Sequence, residues 1–457
     1  MKMRLDKKVP PVNIQSVTGR DLEIAEEVLN YSQNQRISQI TESTLIVGVD
    51  IAKHKHVARA QNDRGLMYGK AFSFLSTRQG FEAFCHWMKS LMTEHEKTEV
   101  IVGMEPTGHY WMTLAAFLRS RRIPVVVVNP MHVKKSKELD DNSPTKNDPK
   151  DARVIAQLVK DGRYSAPYFP TGVYAELREA VKIRDHLSNE LQRIQAKVHN
   201  WLDRYFPEFL TVFTSWEGKA ALETLKRFPL PQDIIQIGTS GILTTWQESI
   251  ARGLRPRRAH ELVEQARHSV GLREGTKMAR LELRTLLTTY EVTQQQLEQV
   301  MKEIEDLLND IPGVQHILTI PGMGIATVAG FFAEVGDLSR YQHPRQLQKL
   351  AGLNLKENRS GKHRGKTRIT KRGRPQLRAL LYKVIRPLVA KNQAFKALHV
   401  YDTTRQQNPL RKQQSLIALC CRLLRIMFVL ARKEVDFDMN KMMKATPLCS
   451  QILPLTA

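Results

Sequence analysis

Paired cysteines are what this sequence most plainly lacks. Its 457 residues include four cysteines, Cys85, Cys420, Cys421 and Cys449. None stand in CxxC spacing, which excludes a disulfide framework and a zinc ribbon and fits a reducing cytosol. The opening residues run from basic to acidic without an apolar stretch, so no signal peptide is expected. Long apolar runs are equally scarce. The most apolar segment, Leu416–Ala431, carries Arg422 and Arg425 in its middle and is short for a membrane span, so a buried helix is expected and no membrane partner. Walker A, HExxH and GxSxG motifs are missing, and so is any short repeat. Acid is in short supply too: 70 Lys and Arg face 46 Asp and Glu, a formal net charge of +24. That excess points to a polyanionic partner, because clustered Lys and Arg release counterions on meeting phosphates. A cationic protein lying on a membrane surface is the other class it allows.

What is present begins with a mixed-charge extension, 1–42, expected to hold a short helix near Asp21–Leu29. An alternating series follows. Thr44–Asp50 reads as a buried strand, Lys55–Ala60 and Leu66–Phe74 as two more across a turn at Asn62–Gly65. Arg78–His95 has helical apolar spacing. Glu99–Met104 is a strand, Gly108–Arg121 a helix, Pro124–Val128 a strand and Asp148–Asp161 a helix. The order βββαβαβα is that of a ribonuclease H-like fold. Residues 43–165 are thus expected to form an α/β catalytic domain. A helical region, 166–311, follows. Its apolar stripes at Leu187–Trp201 and Leu297–Ile311 suit an antiparallel hairpin, a coiled-coil dimer arm or helices buried in their own domain, and its segment 215–275 resists assignment. A mainly helical C-terminal domain, 312–410, opens with Ile320–Ala326, where a Gly-rich turn between helical patterns has the look of a helix-hairpin-helix or of a plain interhelical turn. Residues 411–457 form a last helix and tail.

Acids fall at telling places. Asp50 ends the first strand and Glu105 follows the fourth, and these two strands are neighbours in such a sheet. Asp148 and Asp151 sit one turn apart at a helix start and share a face. Four carboxylates at one point repel one another unless a hard cation joins them, so Mg²⁺ is expected there, with two ions suiting phosphoryl chemistry. A competing reading makes Asp148-Pro149-Lys150-Asp151 an ordinary helix cap. Lys53 and Lys146 beside the acids either meet substrate phosphate or balance charge. His54 and His56 alternate on a strand and are expected to face solvent. Tyr110 and Trp111 suit a core or a DNA-facing role equally.

A second concentration of charge spans Lys356–Arg378. Ten basic residues stand there against the one acid Glu357. Lys362, Arg364, Lys366, Arg368, Lys371, Arg372, Arg374 and Arg378 are expected to lie on a phosphate backbone. On these residues alone, Ser360 reads as a hydroxyl contacting that backbone.

The segments VGVDIAK (ending at Lys53), GMEPTGHYW (103–111) and KNDPKDA (146–152) closely resemble the DEDD transposases of bacterial insertion sequences. Those include Piv-type invertases and bridge-RNA-guided recombinases. Ile320–Gly336, Leu350–Leu353 and Arg359–Arg378 resemble the family's C-terminal transposase domain. The resemblance implies a RuvC-like nuclease domain whose Asp50, Glu105, Asp148 and Asp151 bind Mg²⁺. It implies a serine nucleophile at Ser360, donor and target DNA as partners, a non-coding guide RNA, and a homo-dimer or tetramer in the cytoplasm. Two rivals remain: a hydrolytic junction nuclease using metal-activated water, and a nucleic-acid-binding scaffold that does not cut.

Overall fold

β-Branched residues crowd the first strand and dictate a sheet interior. In the computed structural model, which describes residues 33–140, 148–249, 256–356, 359–360, 363–365 and 367–444, the chain forms two compact units, Met1–Phe169 and Pro170–Ala457. The expected helix near Asp21–Leu29 and Lys146 lie outside the described residues.

The first unit runs α1 (Gln33–Ser38), β1 (Thr44–Asp50), β2 (Lys55–Gln61), β3 (Met67–Leu75), α2 (Arg78–Glu94), β4 (Glu99–Met104), α3 (Tyr110–Ser120), β5 (Val125–Val128), α4 (Pro130–Asp140), α5 (Asp148–Lys160) and β6 (Tyr164–Ser165). Its six-stranded sheet has the order β3-β2-β1-β4-β5-β6. β1, β2 and β3 pair antiparallel. β1 pairs β4 and β4 pairs β5 in parallel, and β6 returns antiparallel. The expected series βββαβαβα is therefore present, with α4 and β6 as additions. α4 escapes a reading of the sequence because its residues are mostly polar and carry no apolar stripe.

Strand periodicity sorts the side chains. Leu45, Val47 and Val49 of β1 face Phe84, Met88, Leu114 and Leu118 of α2 and α3. Ile46 faces the other way, onto Ile155, Ala156 and Val159 of α5. Gly48 shares Ile46's face, and here α5 comes so close that a Cβ on Gly48 would lie 2.1 Å from the Ala152 carbonyl oxygen and 2.4 Å from the Ala156 nitrogen. Gly103 of β4 does the same for Val159, whose Cγ2 would stand 2.3 Å from its Cβ. Two glycines thus let the helix lie directly on the sheet.

His56 does not face solvent, which corrects the sequence reading. It is fully buried, with its ring 5.2 Å from Phe74 and 6.0 Å from Phe81. It shares β2's inner face with Ala58 and Ala60, and that alternation outweighs its polarity. Nδ1 accepts from the Ala52 N–H at 3.4 Å, and Nε2 is buried with no hydrogen-bond partner. Burial holds its pKa down to about 4. The unfolded chain therefore takes up a proton below about 6.5 that the folded chain refuses until about 4. Stability is whole above that window and falls within it, by on the order of 2 kcal/mol at pH 5. Urea unfolding of the full chain at pH 7.5 and pH 5 should show this loss, and His56→Leu should reduce it.

The second unit runs α6 (Val173–Tyr205), α7 (Phe209–Val212), α8 (Lys219–Arg227), α9 (Pro231–Ser249), α10 (Pro256–Arg267), α11 (Thr276–Asn309), α12 (Val314–Leu318), α13 (Ile325–Val335), α14 (Pro344–Leu350), β7 (Leu355–Lys356), β8 (Arg359–Ser360), β9 (His363–Arg364), β10 (Arg368–Ile369), α15 (Pro375–Lys391), α16 (Gln393–Thr404), α17 (Lys412–Lys433) and α18 (Met439–Lys444). α6 and α11 pack antiparallel along their length: Trp201 Nε1 donates to the Ala279 carbonyl at 2.9 Å, while Leu177 and Val181 meet Ile304 and Leu308 at the other end. Each end is buried in its own core. Trp201, Leu283 and Leu287 join Trp216 and Trp246 of the segment 215–275. Leu177 and Ile304 join α13, α15 and α17. Between the cores Leu187, Leu191 and Leu297 are only half-buried.

α17 covers the apolar run Leu416–Ala431. By length and composition it could cross a membrane, but Leu419, Leu423, Leu424 and Met427 are buried in the second unit's core, the packing of a buried helix.

Candidate active site

At the C-terminal ends of the parallel strands Asp50 feels the charges of three other acids and of one unforeseen cation. β1 and β4 pair in register up to Val49 and Met104. One residue on, Asp50 and Glu105 therefore leave adjacent strands side by side. By strand alternation Asp50 lies on the Ile46–Gly48 face and Glu105 on the Ile101–Gly103 face, which is the face α5 covers. α5 begins at Asp148 and brings Asp148 and Asp151 in its first turn. The glycines at 48 and 103 set how near those two can come.

The electrostatics report the gathering. Asp50 is pushed up to about 6, first by burial, then by the charges of Asp151 and Asp148, with a smaller push from Glu105; Lys137 pulls the other way. Asp151 is 4 % exposed. Its Oδ2 pairs with the Lys137 ammonium group, and its Oδ1 is buried with no hydrogen-bond partner. Its carboxylate thus serves Lys137 through one oxygen, and the other makes no bond to its own helix. Glu105 is half-buried, and the Thr107 hydroxyl donates to its Oε1 at 3.4 Å. Among the described residues no three acid, His or Cys side chains already form a metal cage. The donor set is nonetheless all oxygen, and a buried carboxylate oxygen waits without a partner. Both features fit a hard divalent cation.

Of the neighbours the sequence singles out, Lys53 and His54 are exposed. Tyr110 and Trp111 are half-buried against the first unit's core, Trp111 with its ring 5.4 Å from Phe169. Lys137 was not anticipated, since nothing in the spacing of Pro130–Asp140 marks it.

The basic segment is held at its base. Lys371 N–H donates to the Gly352 carbonyl at 3.0 Å and Arg374 N–H to that of Leu350 at 2.7 Å. Gly373 allows this approach, because a Cβ there would lie 2.3 Å from the Leu350 oxygen. Two short ladders follow, β7 with β10 and β8 with β9, the latter pairing Ser360 with His363. Lys356, Arg368, Lys371 and Arg372 are exposed. Arg374 instead donates to the Glu334 carbonyl at 2.5 Å and Arg378 to that of Ala351 at 3.0 Å. These two guanidinium groups are committed to the protein's own chain. Lys362 and Lys366 lie outside the described residues, and of Ser360 and Arg364 only the backbone is described.

Ile320–Ala326 forms a tight turn between α12 and α13, with Gly322 at φ +93° and Gly324 as an extended N-cap.

Comparison with known proteins bears on both halves of the chain. A family profile described as "Transposase" matches residues 47–207. One described as "Transposase IS116/IS110/IS902 family" matches 314–400, and together they cover more than half of the chain. The chain belongs to the IS110/IS116 transposase family. It is 25% identical over 328 residues to the "Mini-circle putative transposase for IS117" of Streptomyces coelicolor, covering 68% of this chain and 76% of that protein. To the "Pilin gene-inverting protein" of Moraxella bovis it is 22% identical over 411 residues, 87% of this chain and 98% of that one. To the "Transposase for insertion sequence element IS1111A" of Coxiella burnetii it is 25% identical over 291 residues, 63% and 65% respectively. As a member of a transposase and recombinase family, the enzyme acts on DNA by cleaving and rejoining strands. The first profile contains all four acids and the second contains Ser360.

Proposed function

We propose that this transposase moves DNA strands with a magnesium site at Asp50, Glu105, Asp148 and Asp151 and a serine nucleophile at Ser360. The observation that supports the metal reading is Asp50, whose pKa is raised by burial first and then by the charges of Asp151, Asp148 and Glu105. The sheet order β3-β2-β1-β4-β5, antiparallel and then parallel, supports a ribonuclease H-like, RuvC-like domain. Mg²⁺, with two ions suiting this chemistry, would neutralise charge on the reacting phosphate and lower the pKa of a bound hydroxyl.

The chain's own residues do the rest. The acids hold their oxygens at the C-terminal ends of β1 and β4, and exposed Arg368, Lys371 and Arg372 meet the phosphate backbone. Ser360 loses its proton as Oγ bonds to phosphorus, and a P–O bond to deoxyribose breaks, releasing a hydroxyl. A deoxyribose hydroxyl of the new strand then attacks that phosphorus and displaces Ser360. One phosphate ester replaces another at each step, so rejoining needs no outside energy source. The family likeness further supports a homo-dimer or tetramer in the cytoplasm, with donor and target DNA chosen by a structured guide RNA.

Trapping tests this. Wild-type protein incubated with donor DNA and Mg²⁺ should yield a covalent protein–DNA adduct on a denaturing gel, and Ser360→Ala none. Recombination at the normal rate by Ser360→Ala sinks the serine mechanism and leaves metal-activated water. RNA sequencing of purified protein should recover one structured species.

A further inference from the structure

α4 is where the structure adds a residue to the site. The helix opens at Pro130, with the Asn129 side chain accepting from the Met131 N–H at 2.9 Å. Val133, 1 % exposed, anchors it in the core beneath α5. One turn later on the same face, Lys137 is delivered to Asp151. The pair is mostly sheltered, with side chains 26% and 6% exposed. A buried ion pair stabilises a fold only when the remaining lone pairs are satisfied, and here Asp151 Oδ1 is left without a partner. As a purely structural bridge the arrangement is poor. As a cation placed on an acid cluster it is apt.

We propose that Lys137 is a positioning residue that occupies the cation's place on Asp151, holding that carboxylate in the site until a divalent metal displaces the ammonium group. The proposal rests on the magnesium reading above. Displacement turns the Lys137 amine out of its pair, where it can meet the phosphate that the metal serves. An unpaired cluster of four acids would otherwise push itself apart whenever metal is absent.

Two measurements on the full-length protein test it. The first is Mg²⁺ binding by calorimetry without DNA. Lys137→Gln should bind roughly tenfold more tightly than wild type, since its competitor is gone, and Lys137→Arg should show no such gain. Unchanged or weaker binding by Lys137→Gln overturns the proposal. The second uses wild type alone and does not depend on the variant folding. Limited acylation of amines, read by mass spectrometry, should find Lys137 protected without Mg²⁺ and several-fold more reactive with it. Equal reactivity overturns the proposal, because loss of charge repulsion alone would tighten metal binding without changing the lysine. If wild type binds no divalent cation while remaining folded, the magnesium reading itself fails and this inference falls with it. If wild type binds and Asp50→Asn does not, that reading stands whatever Lys137 does.

Discussion

Asp50→Asn is expected to slow strand cleavage roughly a thousandfold while making the metal-free protein harder to unfold. The two effects have one cause. Asp50 is buried among like charges, and its pKa stands at about 6 against an ordinary 3.8. The folded chain therefore keeps a proton that the unfolded chain has released. Whatever stability that proton brings is present below about 3.8 and lost as pH rises through about 6. At pH 7.5 the folded protein holds a strained carboxylate, and the neutral amide relieves it. The gain is on the order of 1–2 kcal/mol once screening of a part-exposed group is allowed for. At pH 4 the two proteins should unfold alike. Cleavage moves oppositely, because a neutral amide is a poor ligand for a hard cation. Losing the transition-state stabilisation of a bound ion costs about 4 kcal/mol, roughly a thousandfold in rate. Thermal unfolding without Mg²⁺ at both pH values, set beside single-turnover cleavage with Mg²⁺, measures both. A variant less stable at pH 7.5 would show that the acids do not crowd Asp50, and a variant cutting at the wild-type rate would remove the metal reading.

The candidate site is half legible in the sequence, and the division has a physical basis. Asp50 and Glu105 could be read because an apolar run closed by an acid is unusual, and because parallel neighbours bring their ends together. Register then places Asp50 beside Glu105 with no gap. The helix carrying Asp148 and Asp151 could be read, but whether Asp151 capped it or faced the sheet could not, since both uses put an acid in the first turn. Lys137 is invisible there, because one lysine of three in a polar helix carries no mark until packing aims it. For His56 the place in an alternating strand, not the polarity of the ring, decides burial. The segment 215–275 failed for another reason. Its helices bury Trp216 and Trp246, but Gly238, at φ +69°, interrupts α9 and breaks the period a reader would follow. The role of Ser360 follows from no local physical signal. A serine in a basic hairpin looks like a phosphate contact, and the nucleophile reading comes from the family likeness.

Gly48→Ala should be the most damaging single-methyl change in the first unit, although the residue touches no substrate. Its added Cβ would sit 2.1 Å from one backbone atom of α5 and 2.4 Å from another. Backbone cannot rotate away, so the helix must lift by more than an ångström. Overpacking of this kind costs up to about 3 kcal/mol. The displaced element carries Asp148 and Asp151, and a 1 Å misplacement of reacting groups costs about a hundredfold in rate. Gly103→Ala separates packing from placement. Its Cβ would meet side chains and no backbone, Val159 Cγ2 at 2.3 Å and Ile155 Cγ2 at 3.4 Å, ends that can turn, so its losses should be several times smaller. Gly324→Ala, in the second unit, has nothing within 4 Å and should cost only the poorer N-cap of α13, on the order of 1 kcal/mol or less. The measurements are urea midpoints and cleavage rates for the three variants. The telling comparison is Mg²⁺ affinity in Gly48→Ala, where every acid is still present. If affinity falls with rate, the glycine sets the spacing of the acids. If stability falls but metal still binds as in wild type, α5 is only packed there, and the site is held by something other than the close approach at Gly48.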